Sequence, residues 1–420
     1  MIHKFFLIFG MLIFLTQLKA GEEIKRTWVA PPLPAPKGEV IRVSNVDALK
    51  QAVNKLKDGQ TLLLEDGIYQ FKEGKLKNGT TICSSIWLSG KKNISIRSAS
   101  GKPEKVILRG CGWDSDIVYD NILQIADCEN VLVAGITFEE AHLFGVHVVG
   151  HHKPKNIHIY NCIFRNIGTR SIKGSAAGAG KNEFVKVVDG MIEYCWFENT
   201  KVPPTGQGKK WLFNGNYISS LDMMGLHNWT IQKNVFLNIK GSSREGRAAI
   251  FVWNQCKNIT IKDNLIIDCD RGVSLGNYHR GKKMKEGAKH VDGALVYNNI
   301  IVPGPADAGV EIMWSANILI AHNTIWQKNG KRGIRFLHAL PGTKIINNII
   351  RGVISKKQEG VEIINNITGE AGLFKDAKKL HFQLLPTAKS AIAQGLPLDK
   401  VKLDYYGKTR SKTPSIGAIE

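Results

Sequence analysis

ITIKDNLIIDCDRGVSLGN, residues 259–277, holds the fold in miniature. Apolar and polar residues alternate as far as Lys262, the chain bends at Asn264, runs through the short apolar stretch 265–267, and turns into a further strand around Val273. The same grammar recurs in VLVAGITFEEAHLFGVHVVG (131–150), IHIYNCIFRNIGTRSIKGS (157–175), ALVYNNIIVPG (294–304), ILIAHNTIWQKNGKRGIRFLH (318–338) and KIINNIIRGVI (344–354). Its bend residues are Asn161, Asn234, Asn264, Asn299, Asn323 and Asn348, and the last three stand 24 and 25 residues apart. That spacing is a bare coil, and larger gaps mark insertions. Asparagine suits the bend because it tolerates left-handed backbone angles, and its amide can bond to the same group one coil away.

Coils of this length stack into a parallel β-helix, an all-β solenoid in which each turn buries its inward side chains against its neighbours. A β-propeller needs about 40–50 residues per blade with Gly-His or Trp-Asp marks, and those are missing. The opening of the repeat differs. Residues 41–43 read as a strand, Ser44 as a helix cap, and Val46, Leu49, Val53 and Leu56 as one apolar helical stripe ended by Gly59, so a capping helix is expected over the first coil.

Composition bounds the rest. The 420 residues include 42 glycines, 43% apolar residues and 22% charged residues, which excludes both a helical bundle and a largely disordered chain. A net charge of +21 attracts polyanions. Lys4 precedes the apolar run FFLIFGMLIFLT, so residues 1–20 read as a signal peptide cut after Ala20, which places the mature chain outside the cell or in a periplasm. Export makes nucleic acid an unexpected partner, no later segment is apolar enough to span a membrane, and a monomer is expected. Residues 21–38, with Pro31, Pro32, Pro34 and Pro36, read as an extended leader, 39–370 as the β-helix, and 371–420 as a tail packing on it. The seven cysteines include no CxxC pair, and most are expected to be small buried residues.

VSNVDALKQAVNKLKDGQTLLLEDGIYQF (43–71) resembles the opening of polysaccharide lyase family six, the chondroitinase B and alginate lyase group, and the cadence of the whole chain resembles the right-handed parallel β-helices of the pectate-lyase-like superfamily. The resemblance implies a secreted carbohydrate-active protein that cleaves an acidic glycan by β-elimination. In that family a catalytic Lys on one coil is followed by an Arg on the next. Here IFVWNQCKN carries Trp253 near the expected Lys, and SLGNYHRG carries His279 and Arg280 in the following turn, so the Lys is not carried over and Arg280 is the candidate charge neutraliser. Calcium, used by relatives, is a possible cofactor, although no carboxylate cluster is evident.

Geometry then nominates the site. With Val146, Ile172, Ile218, Ile250, Val273, Val310 and Ile334 inward, alternation turns His147, Lys173, Ser219, Phe251, Ser274, Glu311 and Arg335 outward in one file. Insertions at 175–186, 200–216, 240–248 and 276–292 wall the middle of that file. Elimination needs a base, a charge neutraliser and a proton donor. Lys173 or His279 is the expected base, Arg280 the neutraliser, and His147, Trp253, Asn254, Tyr278, Glu311, Trp314 and Arg335 the binding residues. A hydrolase on the same scaffold would use Asp222 with Glu311 or Asp189, but strand spacing sets Asp222 and Glu311 roughly 14 Å apart, beyond the glycosidase window. A noncatalytic glycan-binding or surface protein is the third reading.

Overall fold

The computed structural model describes residues 28–420 apart from 116, 118–119, 177–186, 206–211, 279–287, 305, 307, 328–330 and 357. Among the described residues the chain winds into a right-handed parallel β-helix with three long parallel sheets of 12, 11 and 10 strands. One coil shows the order. The strand Cys256–Lys262 belongs to the first sheet, Leu265–Ile267 to the second and Arg271–Leu275 to the third, and each pairs in parallel with its counterparts one coil before and after. No described helix is long and apolar enough to cross a membrane.

Inward files make the core. Ile159, Ile192, Ile231, Ile261, Val296 and Ile320 are fully buried along the first sheet. Phe138, Phe164, Phe197 and Phe236 stack face to face along the second, with ring centroids 5.1, 4.9 and 4.6 Å apart. Trp229 takes a place in the interior because its neighbour one coil earlier is Gly190: a Cβ there would stand 2.4 Å from the indole ring. Gly190→Ala is therefore expected to cost about 1–3 kcal/mol by overpacking, read from urea unfolding. A loss within error would show that Trp229 has room to move.

The bend after each first-sheet strand carries two columns. Asn161, Tyr194, Lys233, Asp263, Asn298, His322, Asn347 and Asn365 all adopt left-handed backbone angles. The next residue forms a buried ladder. Asn264, for instance, donates through both its backbone N–H and Nδ2 to Asn299 Oδ1 at 3.0 Å, and Nδ2 also donates to the Ile231 carbonyl at 2.9 Å. The pattern repeats from Asn234 through Asn264, Asn299, Asn323 and Asn348 to Asn366. Asn161 belongs to the left-handed column rather than to this ladder, contrary to expectation, because its coil and the next place Cys162 and Cys195 at the ladder position. Asn299→Ala removes the acceptor for two Asn264 donors, and a loss of about 1–3 kcal/mol is expected. Asn130→Gly, in the exposed ladder from Asn156 to Asn93, should cost less than about 1 kcal/mol because glycine accepts the same backbone angle. Equal losses would mean that burial of the ladder contributes nothing.

The ends and one flank are covered. The helix Val46–Lys55 sets Leu49 and Val53 into the first coil, but Asn45 caps it rather than Ser44, accepting the Ala48 N–H at 2.9 Å. Residues 371–420 lie against the outer surface of the second sheet, where Val235, Leu265, Ile300 and Trp326 pack with Phe374, Phe382, Tyr405 and Ile416. Arg410 anchors that tail through Asn298 Oδ1 (2.8 Å) and the carbonyls of Gly417 and Ala418. The leader runs along the flank against the direction of coiling. Trp28 packs on Tyr405 with ring centroids 4.6 Å apart, the Pro31 carbonyl accepts from Tyr160, and the Pro34 carbonyl accepts from Arg97 at 2.9 Å. Cys83 and Cys111 form a disulfide, and the other five cysteines are buried thiols outside any disulfide. The expected signal peptide lies outside the described residues.

Candidate functional site

The third sheet carries the outward file, with one change of register. His147 pairs with Lys173, Lys173 with Asp222, and the file continues through Phe251, Ser274 and Glu311 to Arg335. Asp222 therefore holds the place expected for Ser219, and Leu221 the inward place expected for Ile218. The cause is a corner where two successive residues face inward. Gly272, Gly309 and Gly333 point at Ile301, Ile325 and Ile350, where an added Cβ would come within 2.6, 2.5 and 2.4 Å, and the next residues Val273, Val310 and Ile334 are also fully buried. The residue before this small one faces out again, which gives a second outward row containing Arg170 and Ser219 in register.

The two rows meet at Asp222. Its Oδ2 receives Arg170 Nε at 2.7 Å and Lys173 Nζ at 3.0 Å, while Oδ1 accepts the Trp253 indole N–H at 2.8 Å. Burial opposes its charge, but the two cations and the indole outweigh burial and hold the carboxyl down at about 2. Lys173 is driven the other way from its neighbour's interest: burial lowers its pKa more than Asp222 raises it, and Arg170 lowers it further. Asp222 has two counter-ions and Lys173 has one, so the asymmetry is physical. The Lys173 side chain keeps 11% of its surface, whereas Arg170 keeps 3% and Asp222 none. Lys173 is thus the outward member of the cluster.

Arg170 lies flat over the Tyr217 ring, its guanidinium carbon 3.5 Å from the centroid, and donates to the Tyr217 carbonyl at 2.7 Å. Burial and the nearby Asp222 raise the Tyr217 phenol, so it stays protonated at neutral pH. His147, one coil before Lys173, bonds Ser175 Oγ through Nε2 at 2.9 Å. Burial, then Lys173, lowers its imidazole to about 4, which leaves it neutral, and Nδ1 is buried without a hydrogen bond.

Glu311 centres a second ion cluster, paired with Arg271 at 3.2 Å and Arg335 at 3.4 Å and accepting from Ser274 at 3.2 Å. Three strand steps separate it from Asp222. At about 4.8 Å per step the two carboxylates cannot flank one glycosidic bond. Asp189 offers no substitute, for it sits on the first sheet and accepts from Asn228 at 3.1 Å. Trp253 is no sugar platform either: it is buried, parallel to Phe251 at 5.2 Å. Asn254 is a left-handed turn residue that donates its N–H to His290 Nδ1 at 3.2 Å. Trp314 and Tyr278 both stack on His338, with centroids 4.2 and 6.0 Å away. One face of Trp314 is thereby closed to a ligand. His279 and Arg280 lie outside the described residues.

Arg170 and Tyr217 escaped the sequence reading. Arg170 falls in the outward row created by the corner, and Tyr217 ends a long insertion, so only the register after that insertion brings them to Asp222. Among the described residues no three His, Cys, Asp or Glu side chains converge as a metal site.

The chain is similar to several known proteins. A family profile described as periplasmic copper-binding protein (NosD) matches residues 212–370, less than half of the chain. Pectate lyase Pel9A is similar in structure, with a TM-score of 0.53 at 11% identity over 88% of this chain and 90% of that one. A family-six polysaccharide lyase from Pseudopedobacter saltans gives a TM-score of 0.40 at 14% identity over 83% of this chain and 98% of its own, and the Streptococcus pneumoniae surface protein and adhesin PfbA gives 0.46 at 14% over 77% and 92%. No curated protein matches the sequence. The chain shares the parallel β-helix fold of pectate lyase Pel9A. With respect to the copper in the NosD description, no three His, Cys, Asp or Glu side chains converge among the described residues, and burial pushes the Cys256 thiol up to about 12 and raises that of Cys269.

Proposed function

We propose that this chain is an exported carbohydrate-active β-helix that cleaves an acidic polysaccharide by β-elimination over the middle coils of the third sheet. The observation that carries the reading is Lys173: an amine whose pKa is lowered by burial, held at the surface of a fixed ion cluster, with insertions before and after the adjoining strands. In this reading Lys173 Nζ takes the proton α to the uronate carboxylate, the C4–O bond breaks as the C4–C5 double bond forms, and the departing oxygen takes the Tyr217 phenolic proton, which water restores. Arg280 remains the proposed neutraliser of the substrate carboxylate. Export is supported by the apolar N-terminal run and by the disulfide Cys83–Cys111.

A noncatalytic glycan-binding role is favoured by a different observation, the full burial of Asp222 and near-burial of Arg170, which leaves most of the cluster's charge internally neutralised. One assay separates the readings. The full chain is incubated with polyuronates, sulfated glycans and neutral glycans while the short-wavelength ultraviolet absorbance of the new double bond and reducing ends are followed together. Both rising is the expected result. Reducing ends alone would establish hydrolysis, and binding with neither signal would favour a C5 epimerase or the noncatalytic role.

A further inference from the structure

Beyond the Asp222 cluster, the insertion before the strand Ser219–Met224 builds a second feature. Phe213 and Asn214 adopt consecutive left-handed backbone conformations, at φ 54° and 53°, and leave Phe213 65% exposed. Neither residue is glycine, so this turn is conformationally costly. Phe213 and Tyr217 stand 5.3 Å apart at 55°. Arg247 fits beside both, its guanidinium carbon 5.4 Å from the Phe213 centroid and 5.5 Å from that of Tyr217. Neighbouring cations find carboxylates: Arg170 has Asp222, Arg271 has Glu245 and Glu311, and Lys240 has Asp268. Arg247 forms no ion pair with a described carboxylate, although its surroundings take it largely out of water and lower its pKa. Among the described residues this half-buried guanidinium meets aromatic faces and no carboxylate, which leaves its in-plane N–H donors for an incoming oxyanion.

We propose that Arg247, Phe213 and Tyr217 form an anionic-sugar subsite, in which Arg247 binds a carboxylate or sulfate ester and the exposed Phe213 ring packs against the apolar face of the same sugar. The inference rests on the acidic-glycan reading above, but it requires binding and not cleavage. A planar guanidinium matches either oxyanion in a bidentate fork, so the shared chemistry is a ring-borne oxyanion. Tyr217 joins the two features, since Arg170 covers its ring at 3.5 Å and Arg247 approaches it at 5.5 Å. A sugar held by Arg247 thus lies next to the Asp222 cluster.

The test is calorimetric titration of the full chain, wild type, Arg247→Gln and Phe213→Ala, with polygalacturonate, dextran sulfate and unmodified dextran at two salt concentrations, with circular dichroism confirming an unchanged fold. Arg247→Gln is expected to weaken the anionic probe about tenfold or more and to make its salt dependence shallower, while any dextran binding is unchanged. Phe213→Ala should weaken binding without changing the salt dependence. Preference for polygalacturonate assigns a carboxylate, and preference for dextran sulfate a sulfate ester. Wild-type affinity in Arg247→Gln overturns the subsite and leaves the acidic-glycan reading standing. Absence of wild-type binding to both anionic probes overturns the two together.

Discussion

Lys173→Gln is expected to lower eliminative cleavage by about 10²–10⁴-fold, the range that general-base groups contribute. In free-energy terms this is about 3–5.5 kcal/mol of transition-state stabilisation. The pH profile makes the test specific. Lys173 must be neutral to accept a proton, so wild-type kcat/KM should rise with pH along a limb centred below the usual lysine value, as burial requires. Lys173→Arg keeps the positive charge beside Asp222 but stays protonated at every working pH, so it should lose both the rate and that limb. A Lys173→Arg variant with full activity would assign the lysine to the ion cluster alone.

Asp222→Asn is expected to destabilise the fold by about 3–5 kcal/mol, because Arg170 and Lys173 would remain buried without their counter-charge. Urea unfolding measures it, and a loss below about 1 kcal/mol would mean that the cations relax into water. Replacing Asp222, Arg170 and Lys173 together with apolar residues of similar size should recover much of the loss. The same carboxylate makes stability depend on acid. Its pKa is depressed to about 2 in the folded chain, below the roughly 3.9 of an unfolded aspartate, so its contribution is complete above the unfolded value and fades as pH falls through the folded one. Wild-type stability should therefore drop between about pH 4 and pH 2, and Asp222→Asn should be flatter there. Since the substitution also frees Lys173, loss of activity in Asp222→Asn does not by itself indicate a hydrolase.

The coils were legible because their information is local. Alternation, an asparagine bend and a 24- or 25-residue step are written in consecutive residues, and they placed His147, Lys173, Phe251, Ser274, Glu311 and Arg335 on the outward file the structure confirms. Ser219 was put in the place of Asp222 for an equally local reason. Strict period-two alternation fails at the corner where a small and an aliphatic residue both face inward, and the insertion before Ser219 removed the landmark that would have exposed the slip. Arg170 and Asp222 are 52 residues apart, and the turns between them carry no fixed length. Cys83 likewise ends the antiparallel hairpin of Glu73–Lys75 with Thr81–Cys83, which lies outside the coil repeat, so its bond to Cys111 has no signal in that repeat.

A solenoid grows by neighbours: each coil needs the one before it and little else, so a chain emerging from its N-terminus can lay down coils in the order they arrive. The leader breaks that order. Trp28 rests on Tyr405, so one of the first described residues waits for one of the last before it can settle, with Tyr160 and Arg97 holding the stretch between. Closure of this clasp is a final event that reports whether the whole length has been delivered. A chain halted before residue 405 would carry finished coils, an uncovered second-sheet flank and an unfastened leader, and those two loose surfaces would mark it as incomplete to any protease it met.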